Sequence, residues 1–145
     1  MSCISDAQRT ALEVLSSVVD PTTYLGGGVA VALRLAHRQS RDLDLFVPIP
    51  VASFADLICM KLSAIAGRGA RRDFWDLHSM LSARRQPLRE AIEAYSRKYA
   101  AEDVGHVVRS LVYFADAEAE PLPIGLTPNN WEKIKANLRV WIRQL

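Results

Sequence analysis

Apolar positions recur along this chain at two periods, and the change of period divides it near Pro50. Ala11, Leu12, Leu15, Val18 and Val19 follow i, i+3, i+4, i+7 spacing behind Ser5 or Asp6, either of which can cap a helix that Pro21 then stops. Residues 22–25 form a short β-prone run that ends at Gly26-Gly27-Gly28. From about 29 to 36 small apolar residues lie on nearly all sides, which predicts a buried helix. From 42 to 47 acidic and apolar residues alternate at period two, so a strand is expected with Asp42 and Asp44 on one face, ended by Pro48 and Pro50.

Beyond Pro50 the period is helical throughout. Ser53-Phe54-Ala55-Asp56 has capping-box spacing and opens a helix through Ala66 that Gly67 stops. A basic loop, Arg68-Gly69-Ala70-Arg71-Arg72, leads into a helix with Phe74, Leu77, His78 and Leu81 on one face and Asp73 with Asp76 on another, ended by Pro87. Leu88, Ile92, Tyr95 and Tyr99 give one further stripe, and Val104, Val107, Val108, Leu111 and Val112 a second. Residues 116–125 are acidic and proline-bearing and read as a loop. Thr127-Pro128 suits the start of a last helix lined by Trp131, Ile134, Leu138, Trp141 and Leu145.

At 145 residues the chain has the length of one domain, and with half its residues apolar and 23% charged it has the composition of a folded one. A net charge of +2 is too mild to argue nucleic-acid binding from the total. Cys3 and Cys59 show no metal-ligand spacing and read as free thiols of a reducing cytoplasm. No apolar run approaches the ~20 residues of a membrane span, and no signal pattern opens the chain.

Two constellations carry chemistry. Gly26, Gly27 and Gly28 at a strand-to-helix junction expose backbone N–H groups at a helix start, where a phosphate can sit; a tight turn uses glycine there with no ligand as well. Asp42 and Asp44, about 6.5 to 7 Å apart on one strand face, can share a hard cation, or be neutralised by His37, Arg38 or Arg41. In the second constellation Lys61 interrupts an apolar stripe, and Arg68, Arg71, Arg72, Asp73 and Asp76 surround it in sequence. A phosphate clamp and an ion-pair network both account for these residues, Arg72 and Asp76 being placed for an i, i+4 pair. His78 on an apolar face reads as a core histidine, and Trp131 and Trp141 as packing residues.

These residues resemble the AbiEii/AbiGii toxin family of nucleotidyltransferase-like proteins. Its members carry a Gly-Gly-Thr/Ser opening, an arginine- and serine-bearing turn, and Asp-Leu-Asp, like Gly26-Gly27, Arg38 with Ser40, and Asp42-Leu43-Asp44 here. Asp56-Leu57-Ile58-Cys59-Met60-Lys61 through Arg68 looks like the second family signature, and Arg72-Asp73-Phe74-Trp75-Asp76-Leu77 like its basic-Asp-x-x-Asp-Leu block. The tail, with Tyr113 to Glu118 and Trp131 to Lys135, is similar to the family's ends.

The resemblance implies an NTP as nucleotide donor, RNA or tRNA as acceptor, and a cognate antitoxin as partner. It implies that Asp42 and Asp44 hold Mg²⁺; that Asp42, Asp44, Lys61, Asp73 and Asp76 are catalytic; and that Gly26, Gly27, Gly28, Arg38, Ser40 and Arg68 bind the nucleotide. Two departures stand out. Gly28 replaces the hydroxyl residue of the family opening, and only 47–52 separate the Asp-Leu-Asp run from the second signature, where relatives carry several dozen residues including a third carboxylate. The fold class expected is therefore a helix-rich α+β (α/β) single domain, 1–145. A reduced nucleotidyltransferase-like core over 1–50 has a two- to three-stranded sheet, and 51–145 is helical. Unpaired edges of so small a sheet predict a homodimer. The function expected is nucleotidyl transfer at reduced activity in a cytoplasmic toxin–antitoxin setting; the alternative is a catalytically inactive remnant acting as a binding or protein-interaction module.

Overall fold

A computed structural model of the chain describes residues 4–19, 21, 23–42, 44–46 and 52–145. Cys3, Thr22, Leu43, the expected strand's last residue Val47 and its expected stop at Pro48 and Pro50 lie outside them. The described residues divide into two units, Met1–Ser53 and Phe54–Leu145.

In the first unit, α1 (Asp6–Ser16) starts at a capping box: the Ser5 hydroxyl accepts from the Gln8 amide N–H at 3.2 Å, and Gln8 Oε1 accepts from the Ser5 N–H at 2.8 Å. Its apolar stripe is only partly covered by the described residues. Ala11, Leu12 and Leu15 are only half-buried, and Val14 and Val18 are exposed. Then come β1 (Tyr24–Leu25), α2 (Gly27–Leu35) and β2 (Leu45–Phe46). Helix α2 buries Val29, Ala30, Val31 and Ala32, as its small apolar sequence predicts, and closes on Ala36 in the left-handed region.

The α+β expectation is overturned here. In place of a two- to three-stranded sheet there is one antiparallel bridge, two residues a side, pairing Tyr24 with Phe46 and Leu25 with Leu45. The physical cause is local: Gly26 caps α2 and Gly27 is already helical, so the partner strand ends after Leu25. Alternation over 42–46 then has nothing longer to pair with, and Asp42 and Asp44 precede the strand rather than lying in it. A bridge this short is no sheet layer, so the chain is helix-rich, and the edge-pairing argument for a homodimer loses its basis.

The second unit is helical: α3 (Phe54–Gly67), α4 (Arg71–Arg84), α5 (Leu88–Tyr99), α6 (Gly105–Ser110), α7 (Ala115–Ala119) and α8 (Pro128–Ile142). Helix α3 packs on α4, α5 and α6, and α4 also packs on α7 and α8, so the α3–α4 hairpin is the centre. Leu57, Ile58 and Leu62 of α3 meet Phe74, Leu77, Met80 and Leu81 of α4, all fully buried. The hairpin turns at Gly69, not Gly67: Gly69 has φ +57°, and its N–H reaches back to the Ala64 carbonyl at 3.3 Å. Helix α7 occupies the start of the expected 116–125 loop. The acidic residues there face out while Ala117 is fully buried, and alanine favours the helix. Thr127 caps α8 by accepting from the Asn130 N–H at 3.2 Å.

Candidate functional site

The predicted site residues fall into two groups, one in each unit. In the first, Gly26 is the N-cap of α2 and its N–H donates to the Asp44 carbonyl at 2.9 Å, prolonging the strand bridge by one step. That bond holds Asp44 over the glycine turn. Gly27 has φ +54°, and a Cβ on it would lie 1.9 Å from Asp44 Oδ2, so the carboxylate occupies the space that any side chain would need. Gly28 is tight for another reason: a Cβ there would sit 2.8 Å from Arg38 Nη2 and 3.4 Å from Ser40 Oγ. Arg38 and Ser40 are both buried beside the glycine turn, which brings together five of the six residues read from sequence as nucleotide-binding.

The loop leading to the aspartates is braced from α1. Gln8, buried and already part of the capping box, donates from Nε2 to the Ser40 carbonyl at 3.1 Å, and Ser40 Oγ donates to the Asp42 carbonyl at 3.2 Å. Sequence reading passed over Gln8; its capping-box spacing with Ser5 was the available signal. Asp42 is exposed and Asp44 half-buried. Their hard carboxylate oxygens suit Mg²⁺, which takes one or two carboxylates and completes its shell with water and phosphate. Among the described residues no set of three His, Cys, Asp or Glu side chains is placed to hold a metal ion.

The second group is a buried charge network. Lys61 of α3 points its ammonium at both α4 aspartates, with Nζ 2.9 Å from Asp73 Oδ1 and 2.8 Å from Asp76 Oδ2. Both carboxylates are fully buried, and they share a helix face because residues three apart lie one above the other. Arg68 grips Asp73 with two bonds, Nε to Oδ2 at 2.8 Å and Nη2 to Oδ1 at 3.1 Å. Two cations meet two anions, so the set is neutral. Burial by itself would raise the Asp73 carboxyl, but the Arg68 hydrogen bonds and the Lys61 charge outweigh it and hold Asp73 below the usual carboxylate range. The Arg68 side chain is 56% exposed, so this guanidinium is oriented from the inside and presented to solvent.

Around this network lies a cluster that spacing alone did not reveal. Phe74, Phe114 and Trp131 meet edge-on or tilted, with centroids 5.3 to 6.0 Å apart. Cations cover the cluster: Arg71 and Lys135 lie 5.2 and 5.7 Å from the Trp131 ring centre, and Arg139 lies 5.2 Å from that of Phe114. Arg71 is therefore a packing residue of α4 and not part of a basic loop. His78 stacks on Trp141 at 5.2 Å and 12°, and burial lowers its pKa. Asn137 Nδ2 lies 2.9 Å from His78 Nε2, a contact in which the amide donates when the ring nitrogen carries no proton.

Residues 46–140 match the family model described as nucleotidyl transferase AbiEii toxin, type IV toxin–antitoxin system. The matched span contains Lys61, Arg68, Asp73 and Asp76 and begins after the glycines, Asp42 and Asp44. An uncharacterized protein of Aquifex aeolicus (strain VF5) is 38% identical over 180 residues, covering 83% of this chain and 87% of its own length. That alignment is longer than the 145 residues of this chain, so the relative carries residues without a counterpart here. No solved structure matches.

Proposed function

Because the chain belongs to the AbiEii nucleotidyl transferase toxin family of type IV toxin–antitoxin systems, we propose that it binds an NTP with Mg²⁺ and transfers a nucleotide to an RNA acceptor at a reduced rate. Family membership implies an antitoxin as partner. One observation carries the reading: Asp44 is held against the bare backbone of Gly27 at the start of α2, so an acid and a phosphate-sized stretch of free helix N–H groups adjoin. In this assignment the N–H groups of Gly27 and Gly28 seat phosphate oxygens, while Gly26, its N–H bonded to Asp44, sets the turn with Arg38 and Ser40. Asp42 and Asp44 are the residues that would hold Mg²⁺, whose bound charge would offset that of the phosphates. Gln8 keeps the Asp42 loop in place through Ser40. In the second unit Asp73, kept ionised by Lys61 and Arg68, orients the Arg68 guanidinium for an anionic group, and Asp76 completes the charge of Lys61.

The reduced rate follows from the donor count. Nucleotidyl transfer with two metals needs carboxylates beyond the pair, and among the described residues no third ligand joins them. The setting assigned is cytoplasmic; no helix among the described residues is long and apolar enough to cross a membrane. The test is paired: NTP binding by calorimetry with Mg²⁺, and label transfer from NTP to total RNA, each repeated with Asp42→Ala. Slow transfer that Asp42→Ala abolishes is the expected result, and failure to bind any NTP overturns the reading.

A second reading rests on the neutrality of the Lys61 network, in which each buried charge has its partner within the fold. Such residues persist for folding alone, and the protein then works as a catalytically inactive binding module. Binding of NTP with no transfer above that of Asp42→Ala supports this alternative.

A further inference from the structure

A groove of about 440 Å³ runs between the end of α4, the start of α5 and the end of α8, wholly within the second unit. Its volume lies within the range of small-molecule sites. None of its lining residues belongs to the set assigned above to nucleotidyl transfer. Trp141 lines it from α8, with His78 stacked on the indole; the stacked pair is a rigid aromatic wall. Burial disfavours the charged form of His78. Arg85 also lines it, exposed, and no described residue accepts a hydrogen bond from its guanidinium or pairs with it. Arg89 is engaged differently: Nη2 donates to the Gln144 carbonyl at 3.1 Å and to the Leu145 main-chain oxygen, tying α5 to the residues that follow α8. Ser82 and Gln86 add neutral hydrogen-bonding groups, and Glu90 is the acid on the rim.

We propose that this groove binds one nucleotide unit, its base against Trp141 and its phosphate at Arg85. An aromatic plane beside an uncommitted guanidinium and amide groups is the combination that recognises a base with its phosphate, and stacking on an indole tolerates any base. A free nucleotide and one residue of a single-stranded RNA share this chemistry. The site goes beyond the transfer reading and stands without it.

Of the three tryptophans, Trp75 and Trp131 are buried and Trp141 is half-buried, so quenching of intrinsic fluorescence by an added ligand reports on this wall. The full chain is titrated with AMP and with an oligoadenylate of about six nucleotides, in EDTA so that no metal-dependent site contributes, and affinity is measured in parallel by calorimetry. Saturable quenching is expected from both, lost in Trp141→Phe, with affinity weakened about tenfold or more in Arg85→Glu and unchanged in Asp42→Ala. Tighter binding of the oligomer assigns the site to an RNA strand, and equal binding assigns it to a free nucleotide. Absence of saturable binding, or affinities that Arg85→Glu and Trp141→Leu leave unmoved, overturns the proposal. Since Asp42→Ala tests transfer and Arg85→Glu tests the groove, either can fail while the other holds.

Discussion

Asp44 and Asp73 show two ways of holding an acid. In the first unit, Asp44 lies half-buried over a glycine backbone, fixed by one main-chain hydrogen bond from Gly26, while Asp42 is exposed. In the second, Asp73 and Asp76 have no solvent contact and are closed in by Lys61 and Arg68. An exposed carboxylate keeps its affinity for an incoming cation but adds little to stability. A buried one contributes to the fold only while its partners remain, and has no coordination left to offer. The proposed ligand site accordingly draws on the glycine turn, and rigidity on the α3–α4 hairpin.

The sharpest way to break this contrast is Lys61→Met, which removes from both buried carboxylates the ammonium they share. We expect a loss of about 3–5 kcal/mol, read as a lower urea midpoint. A change below about 1 kcal/mol, the scale of a surface pair, would mean that the network is solvated and the contrast false.

Gly27→Ala tests the other side. A left-handed φ costs an L-residue about 1–2 kcal/mol, and the new Cβ would also displace Asp44 from 1.9 Å. Mg²⁺-dependent NTP binding should fall by more than the stability does. Gly28→Ser is its control: the neighbour at 2.8 Å is the far end of the Arg38 side chain, which can shift, so the effect on binding should be smaller.

Acid titration separates the buried groups by pH window. The folded pKa of Asp73 is depressed, so its contribution is complete above the unfolded value of about 4 and is lost as pH falls below it. His78 is also depressed, so the unfolded chain takes up its proton first, and stability falls as pH drops through about 6.5. His78→Phe should flatten the slope near pH 6 and Asp73→Asn the slope below pH 4; identical profiles in wild type and variants would sink both assignments. The smallest effect belongs to Asp42→Ala, with a stability change within about 0.5 kcal/mol and, by contrast, loss of metal-dependent binding.

The helical half was legible because its stripes are long: Leu57, Leu62 and Ile65, or Trp131, Ile134 and Leu138, repeat over several turns and each buries one face. Lys61 stood out for the same reason, as a cation inside an apolar stripe. The first unit was harder to read. Alternation over 42–46 reports a strand's preference but not the length of its partner, which Gly26 and Gly27 cut short. Likewise the α1 stripe reports a helix but not whether anything covers it, and Val14 and Val18 remain exposed. Contacts between residues distant in sequence, such as Gln8 with Ser40, Arg71 with Trp131 and His78 with Trp141, leave no periodic trace.

The neutrality of the Lys61, Arg68, Asp73 and Asp76 set also bears on how this lineage changes over time. Losing Lys61 or Asp73 takes a shared partner from buried charge, so those single steps pass through a less stable chain, and a concerted exchange for apolar residues escapes that penalty. Purifying selection for a folded product alone is enough to keep Lys61 and Asp73. Descendants that have ceased to transfer nucleotides will go on carrying this signature, while the exposed Asp42, under no such constraint, is free to drift as soon as its chemistry is no longer needed.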